Sequence, residues 1–363
     1  MAAPSPKPRL NKVTRCARPA ETRRGHELMD RNERTVEFPP EVVEEIRKRI
    51  TDFTLRASPE PEPLYEKLAE WLGISRDMLL LTLGSDAALR MAHECYAGEG
   101  DEALSLSPSF AMFPVYAGIA GAESRRVPFR DDLTLPLEDI LGAINPRTRV
   151  VALANPNQPI ERVFTPEETL RLLEACKRVG AMLIMDEAYH HFCDATALPF
   201  LRDHDNLVVT RTFSKAFGLA GLRLGYAVSR PQNIEALSKL RPMYDVHAVA
   251  VAAGLYLLEH EEVMLDYVRQ TREGIAALKE GFGKMGIRTH GGESNSLLVA
   301  LPAGLSPAEC SKALKRKGFL VRAESEPPLA NHLRVTAGPR EQAQRLLAAF
   351  EQAVLAQPGG RCR

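Results

Sequence analysis

Apolar residues recur at the spacing of amphipathic helices in the first half of the chain. Such patterns predict helices over Glu41–Ile50, Leu64–Leu72, Ser85–Tyr96 and Thr165–Val179. A proline-rich break at Ser58–Pro63 separates the first two, because proline interrupts helical hydrogen bonding. The last begins at a capping box with proline in the first helical position, which predicts a defined start.

Short, almost uninterrupted apolar runs alternate with these helices and predict strands. The runs are Met78–Leu83, Arg149–Ala154, Ala181–Met185, Asn206–Thr210 and Leu222–Val228. Such strands alternating with helices are typical of an α/β fold, in which helices cover a mainly parallel sheet on both faces. Ligands bind beyond the carboxyl ends of strands in these sheets, and Gln158, Asp186 and Lys215 lie at or soon after those ends.

The pattern changes beyond about Leu265. Further helices and short strands are predicted at Val268–Met285, Ser296–Leu301, Pro307–Lys317, Phe319–Val321, Leu333–Thr336 and Glu341–Leu355. They predict a smaller α+β domain. We therefore expect a large domain over residues 61–265 and a small domain formed by residues 36–60 with 266–363. Residues 1–35 are expected to form an N-terminal arm that is flexible or contacts a second subunit.

The composition of the 363 residues is that of an ordinary globular protein. Lys and Arg together number 47, as do Asp and Glu, so we expect neither a nucleic acid nor a membrane as a partner. The longest apolar stretch, Ala248–Leu258, is too short to span a bilayer, and no apolar signal core begins the chain. The six cysteines form no C-x-x-C pair, so we expect reduced thiols, no metal site and a cytoplasmic location.

One lysine lies in an apolar, glycine-rich segment, Thr212–Gly225. Burying the charge of Lys215 is costly unless that charge is lost or paired. A desolvated lysine amine is a good nucleophile toward carbonyls, including the aldehyde of pyridoxal 5'-phosphate (PLP). Thr212, Ser214 and Arg223 offer the hydroxyl and guanidinium groups that a phosphate beside the aldehyde needs. The segment therefore predicts a Schiff-base lysine with a phosphate site around it.

Other segments supply groups that the same cofactor needs. Asp186, at the end of a buried strand, could keep the pyridine nitrogen protonated or could cap the next loop. Tyr189 could donate to the phenolic oxygen of the ring or could belong to the core. Ser85 and Asp86 open a helix whose backbone N–H groups could bind a phosphate, and Phe110 could stack on the ring or pack in the core.

Two arginines are candidates for binding an anionic substrate. Arg334 lies in the otherwise apolar strand Leu333–Thr336, where its guanidinium needs either an internal carboxylate or that of a substrate. Arg322 is either a second such group or a solvated strand end. No single residue decides the cofactor, but together these segments strongly favour PLP.

These residues resemble those of fold-type-I PLP enzymes, and within that group the histidinol-phosphate aminotransferase family. The resemblance extends from about Met29 to Leu355. It is carried by Asp30-Arg31-Asn32-Glu33, Gly84-Ser85-Asp86, Pro108-Ser109-Phe110, Asn155-Pro156-Asn157-Gln158-Pro159, Asp186-Glu187-Ala188-Tyr189, Ser214-Lys215 with Arg223, and Leu333-Arg334-Val335-Thr336.

The resemblance implies a role for each candidate. Lys215 would form the Schiff base and move a proton between substrate Cα and cofactor C4′, Asp186 would pair with the pyridine nitrogen, and Tyr189 would bond the phenolic oxygen. Phe110 would stack on the ring. The phosphate would be held by Ser85, Asp86, Thr212, Ser214 and Arg223. The substrate would be bound by Arg334, Arg322 and Asn32. A homodimer with active sites near the subunit interface is also implied.

The chain departs from the family pattern beside the cofactor. Gln158 stands where the family has the asparagine that bonds the phenolic oxygen, and Pro159-Ile160-Glu161 replaces Pro-Thr-Gly. The longer amide of Gln158 reaches the cofactor only if its loop retreats; alternatively, Asn157 takes its place. His190 and His191 replace an aliphatic residue and an acid; they lie either at the surface or behind the residues that line the site, or they are part of a changed substrate pocket.

The leading functional hypothesis is transfer of an amino group between an amino acid or amine and a 2-oxo acid. The donor could be phosphorylated or otherwise anionic. Decarboxylation of a phosphorylated amino acid is an alternative, because the outcome depends on which bond at Cα stands perpendicular to the ring. A third hypothesis is a PLP-binding protein without catalytic activity.

Overall fold

The computed structural model describes residues 5–14 and 23–355. Parts of the predicted N-terminal arm and the end of the predicted small domain lie outside the described residues. The strands are β1 (Glu27–Met29), β2 (Leu79–Thr82), β3 (Glu102–Ser107), β4 (Glu123–Pro128), β5 (Thr148–Ala154), β6 (Met182–Asp186), β7 (Leu207–Thr212), β8 (Gly225–Ser229), β9 (Thr289–Gly291), β10 (Ser296–Ala300), β11 (Phe319–Ala323) and β12 (His332–Thr336).

The α-helices lie between these strands and after them. They are α1 (Pro40–Lys48), α2 (Asp52–Arg56), α3 (Glu62–Leu72), α4 (Gly84–Tyr96), α5 (Phe113–Ala120), α6 (Leu137–Ala143), α7 (Pro166–Val179), α8 (Pro231–Ser238), α9 (Ala248–Glu259), α10 (Glu262–Lys284), α11 (Pro307–Arg316) and α12 (Arg340–Phe350). Among the described residues, none of these helices has the length and apolar character needed to cross a membrane.

The larger sheet confirms the predicted α/β fold. Its strand order is β2-β8-β7-β6-β5-β3-β4, with parallel pairing from β7 through β4 and with β8 antiparallel to both of its neighbours. Alternate side chains of β6 pack in two different cores, Leu183 and Met185 in one and Met182 and Ile184 in the other. Helices therefore cover both faces, which explains why the central strands are apolar throughout.

The smaller sheet has the order β1-β11-β12-β10-β9. Only β1 is parallel to its neighbour, and the other pairs are antiparallel. A separate apolar core includes Met29, Leu314 and Phe350.

The division of the chain into an arm and two domains stays a prediction. The structure adds two details that the sequence pattern did not show. β1 belongs to the segment expected to be an arm, yet it pairs with β11 in the smaller sheet. Val42, from the segment assigned to the small domain, packs in a core of the larger sheet. A three-residue strand is too short to produce a periodic pattern, so β1 had no signal of its own.

Candidate active site

The candidate site lies at the carboxyl edge of the larger sheet. Asp186 is the last residue of β6, Thr212 is the last residue of β7, and Lys215 lies in the turn that follows. Neighbouring parallel strands end at one edge, so residues far apart in sequence meet there. Lys215 Nζ is 5.3 Å from the centroid of the Tyr189 ring.

Lys215 is half-buried rather than fully enclosed. Its Nζ donates a hydrogen bond to the carbonyl oxygen of Arg31 at 3.1 Å. Among the described residues, no carboxylate lies within salt-bridge distance of this ammonium. The amine is thus held by a neutral backbone oxygen and stays accessible to a carbonyl group of a ligand.

Asp186 is a buried carboxylate that forms no salt bridge with any described residue. Only 6% of the residue is exposed, and its Oδ1 accepts a hydrogen bond from the Thr210 hydroxyl at 2.8 Å. Burial raises the pKa of Asp186 to about 7, although the Thr210 hydrogen bond and the charge of Lys215 act in the opposite direction. A protonated heterocyclic nitrogen placed here would supply the missing positive charge.

Three consecutive backbone positions join candidate residues from different parts of the fold. The carbonyl of Asp30 accepts a hydrogen bond from Arg334 Nη2 at 3.3 Å, and the carbonyl of Arg31 accepts the bond from Lys215. Asn32 Nδ2 donates to the Tyr189 hydroxyl at 3.2 Å. The segment after β1 therefore brings the lysine, the tyrosine and the substrate-binding candidate Arg334 to one site.

The predicted phosphate-binding residues also lie together. Arg223 Nη2 contacts Asp86 Oδ2 at 3.2 Å, and Arg223 Nη1 donates to the Ser214 hydroxyl at 3.4 Å. The Thr212 and Ser214 hydroxyl oxygens are 2.9 Å apart. Ser85 is half-buried in the first turn of α4. Hydroxyls, a guanidinium and a helix N-terminus thus converge, as phosphate binding requires.

Two glycines permit this convergence. A Cβ atom on Gly225 would lie 2.4 Å from backbone atoms of Gly84 and Ser85, so only glycine lets β8 approach the start of α4. Gly84 has φ +72°, and a Cβ atom there would lie 2.8 Å from Arg223 Nη2. The backbone of this part of the site is therefore determined by close packing.

Phe110 and the two histidines occupy more ordinary environments. Phe110 is half-buried, with its ring packed edge-on against Phe113 at a centroid distance of 5.5 Å. Its stacking on a cofactor stays a prediction. His191 packs against Trp71 at 5.4 Å and Phe217 at 5.2 Å, and burial lowers its pKa. These contacts make His191 part of the packing around Trp71 and Phe217.

Gln158 differs from what its predicted cofactor contact requires. Its Oε1 accepts from Asn32 Nδ2 at 3.1 Å, and its Nε2 donates to the Ser294 hydroxyl at 2.6 Å. The amide of Asn157 is also engaged within the protein, because its Nδ2 donates to the Pro108 carbonyl and its Oδ1 accepts from Ser109. Gln158 thus connects the loop after β5 to the smaller sheet. Its role toward the cofactor stays a prediction.

Glu161 was not among the predicted site residues, although it connects the loop after β5 to the smaller sheet. Its carboxylate accepts hydrogen bonds from the backbone N–H groups of Gly292 at 2.7 Å and Ser294 at 3.0 Å, and from the Ser296 hydroxyl. It is 3% exposed and has φ +62°. The sequence feature that could have pointed to Glu161 is its position, because the histidinol-phosphate aminotransferase family has glycine there.

Replacing Glu161 with alanine is expected to lower the free energy of unfolding by roughly 3 kcal/mol, because buried donors lose a charged acceptor. Urea unfolding would measure the change. The matched variant Glu161→Gln keeps one amide oxygen, so it should lose less. An alanine variant as stable as the wild type would contradict the role of this carboxylate in joining the loop to the smaller sheet.

A second residue that the sequence analysis missed supports the turn after Asp186. Glu187 is fully buried and accepts two hydrogen bonds from Arg211, at 2.8 and 3.0 Å. It also accepts from the Thr196 hydroxyl and the Ala197 backbone. A buried ion pair with this many hydrogen bonds restrains the backbone that carries Asp186.

The two candidate substrate-binding arginines lie side by side. Arg334 is opposite Arg322 in the antiparallel pair of β12 and β11. Both have Nε close to Oε1 of Glu324, at 3.5 Å for Arg334 and 3.4 Å for Arg322. Glu324 is therefore the internal carboxylate that the sequence analysis left unnamed. Asn32 is 1% exposed, and its amide donates to Gln158, Tyr189 and Ser296. Its contact with a substrate stays a prediction.

The site as a whole fits PLP. A buried acid without a counter-ion in the described part of the chain suits the pyridine nitrogen, and the group around Arg223 suits the phosphate. Lys215 supplies an amine for the aldehyde, and Tyr189 lies next to that amine. The assignment of each residue to its part of the cofactor is a prediction.

Comparison with known proteins shows which family this chain resembles. The model of the family "Aminotransferase class I and II" matches residues 28–350. Histidinol-phosphate aminotransferase 2 of Pseudomonas fluorescens is 32% identical over 88% of this chain and 86% of its own. Histidinol-phosphate aminotransferase of Symbiobacterium thermophilum is 34% identical over 91% of each chain. The structure of the Sinorhizobium meliloti histidinol-phosphate aminotransferase with pyridoxal-5'-phosphate has a TM-score of 0.84 and 24% identity, covering 97% of this chain and 98% of that one. That likeness shows the shared fold.

Proposed function

Because this chain belongs to the class I and II aminotransferases and is a PLP-dependent enzyme, we propose which substrates it uses. The donor is an amino acid or amine with an anionic group, and the acceptor is a 2-oxo acid. The relatives are named for histidinol phosphate, which is therefore one candidate donor. Neither the family nor these relatives support the decarboxylase alternative.

The observation that carries the proposal is the segment Asp30–Asn32, which holds Lys215, Tyr189 and Arg334 around one site. Bound PLP supplies an electron sink that lets a bond at the substrate α-carbon break. Lys215 is assigned to remove the proton from that carbon and return it at C4′. Arg334 is assigned to bind the carboxylate of an amino-acid donor or of the 2-oxo acid, which orients the α-carbon toward Lys215.

The other residues are proposed to hold the cofactor. Asp186 keeps the proton on the ring nitrogen, and Tyr189 donates to the phenolic oxygen. Phe110 excludes water from one side of the ring. Arg223 binds the phosphate, together with Ser85, Asp86, Thr212 and Ser214.

We propose that the enzyme is a homodimer in the cytoplasm. The loop after α8 exposes Met243 and Tyr244, at 84% and 64%, beside the proline-rich segment before α3. Exposed apolar groups of this size favour a covered surface. Four described cysteines are free thiols, which suits a reducing compartment. Light scattering of the purified protein tests the dimer, and a monomeric mass would contradict it.

The substrate proposal is tested with the purified PLP-loaded protein. Adding the correct donor should remove the visible absorbance of bound PLP, and adding a 2-oxo acid should restore it. The panel should include histidinol phosphate, its unphosphorylated counterpart and common amino acids. Absorbance that persists with every amine, or carbon dioxide released without a 2-oxo product, would contradict amino transfer to this substrate class.

A further inference from the structure

Glu324 holds an unusual place between two arginines. The side chains of Arg322 and Arg334 are direct neighbours across the β11–β12 pair, where like charges are unfavourable. Glu324 follows the end of β11, and its backbone N–H donates to the carbonyl of His332 at 3.0 Å. Its carboxylate lies within 3.5 Å of both Nε atoms. One negative charge therefore separates two positive charges.

The contacts in this cluster are incomplete. Glu324 and Arg334 have side chains only 11% and 12% exposed, yet neither Glu324 Oε1 nor Arg334 Nε makes a hydrogen bond with any described residue. Arg334 donates one hydrogen bond to a described residue, from Nη2 to the Asp30 carbonyl at 3.3 Å. Buried charged groups without hydrogen bonds are costly, so a ligand that supplies them would be bound preferentially.

The charge of the cluster limits which ligand this can be. Two guanidinium groups and one carboxylate leave a single net positive charge. A ligand carboxylate can bind Arg334, but a second anionic group near Arg322 would meet the fixed charge of Glu324. A cationic or hydrogen-donating group in that place would instead be attracted by the negative charge of Glu324.

We propose that Glu324 is a specificity-determining residue that selects substrates with one anionic group beside a cationic or hydrogen-donating group, over dianionic substrates. The inference rests on the proposed function, because it takes Arg334 as the site of the substrate carboxylate. It deepens that function by assigning a charge preference to the same pocket.

The test measures binding without turnover, by calorimetry on the PLP-loaded protein. The probes are succinate, which is dianionic, and 4-(trimethylammonio)butanoate, which pairs a carboxylate with a cation and has no primary amine. Glu324→Gln removes the charge and keeps the shape. It should bind succinate roughly tenfold more tightly and the cationic probe roughly tenfold more weakly, as expected for one unit charge nearby.

The opposite signs separate this role from a structural one. A variant that is merely damaged would bind both probes more weakly, and that result would overturn the proposal, as would no change for either probe. Glu309→Gln is the matched control, because Glu309 is an exposed carboxylate of α11 and should leave both affinities unchanged. The double variant Arg322→Gln with Glu324→Gln should lose the gain for succinate.

Failure of this inference is distinguishable from failure of the proposed function. If no donor removes the absorbance of PLP but the two probes shift in opposite directions, the charge selection stands without amino transfer. If amino transfer occurs and the probes do not shift, Glu324 has no part in selecting the substrate.

Discussion

Lys215→Ala is expected to abolish amino transfer, with a fall in kcat of at least roughly 10³-fold. Proton transfer by a positioned side chain alone contributes roughly 10²–10⁴-fold, and the alanine variant also lacks the amine that attaches the cofactor. Single-turnover reactions with the best donor would measure the loss. The absorbance of the bound cofactor should change as well, because PLP can no longer be held covalently.

Two variants separate the chemistry of Lys215 from its structural contact. Lys215→Arg keeps a positive charge that can donate to the Arg31 carbonyl, but guanidinium is not a nucleophile at neutral pH. It should therefore be as inactive as the alanine variant while remaining folded. Lys239→Ala removes an exposed lysine and should leave the rate unchanged. Near-normal turnover by either Lys215 variant would refute its central role.

Asp186→Asn is expected to reduce kcat by roughly 10²–10⁴-fold. Removing one partner of a buried ion pair costs about 3–5 kcal/mol, which corresponds to that range of rates. Asparagine has nearly the same shape and can still accept the Thr210 hydrogen bond, so the loss would reflect the charge. Donor half-reactions would measure it. A variant within threefold of the wild type would show that Asp186 does not face the ring nitrogen.

Asp186→Asn should also change the stability of the protein. The substitution should stabilise the protein without PLP and destabilise the PLP-loaded protein. Burial raises the pKa of Asp186 to about 7, well above its value in an unfolded chain. The native apoprotein therefore binds more protons than the unfolded chain between about pH 4 and pH 7, and its stability falls as the pH rises through that window.

Asp186→Asn removes this dependence on pH. At pH 8 the variant apoprotein should be more stable than the wild-type apoprotein, by up to roughly 4 kcal/mol, whereas the PLP-loaded variant should be less stable than its wild-type counterpart. Unfolding curves at pH 5 and pH 8, with and without PLP, would test both signs. Asp203→Asn, at an exposed position, serves as the control. A wild-type apoprotein whose stability rises toward pH 8 would contradict the burial of this charge.

Local features of the chain predicted most of the central fold. The apolar run ending at Asp186 was predicted from Ala181 and is observed from Met182, because continuous burial leaves a continuous apolar pattern. β4 was not predicted, since its residues are largely exposed at the edge of the sheet and carry no such pattern. α9 was recognised only as an apolar stretch and not as a helix. A helix that is buried on all sides has apolar residues all round, so its sequence shows no helical period.

Some residues of the candidate site could be predicted from the sequence, and others could not. The Lys215 segment and Asp186 could be identified from sequence, because each combines a charged group with apolar neighbours that make its burial costly. Glu161 and Glu324 could not be assigned, since a carboxylate in a polar loop looks like any solvated residue. Their partners lie far away or across a strand pair, so only the fold reveals that they are engaged.

By itself the sequence predicted the α/β fold and marked Lys215 and the acid at the end of β6 as candidates for the site, because these depend on the local balance between burial and charge. Only the tertiary structure decided that Asn32 meets Tyr189, 157 residues away, that Glu161 joins the smaller sheet, and that Glu324 lies between two arginines. Those contacts depend on how strands are ordered and how the sheets meet. That arrangement is set by packing over the whole molecule, which leaves no mark in the residues on either side of each position.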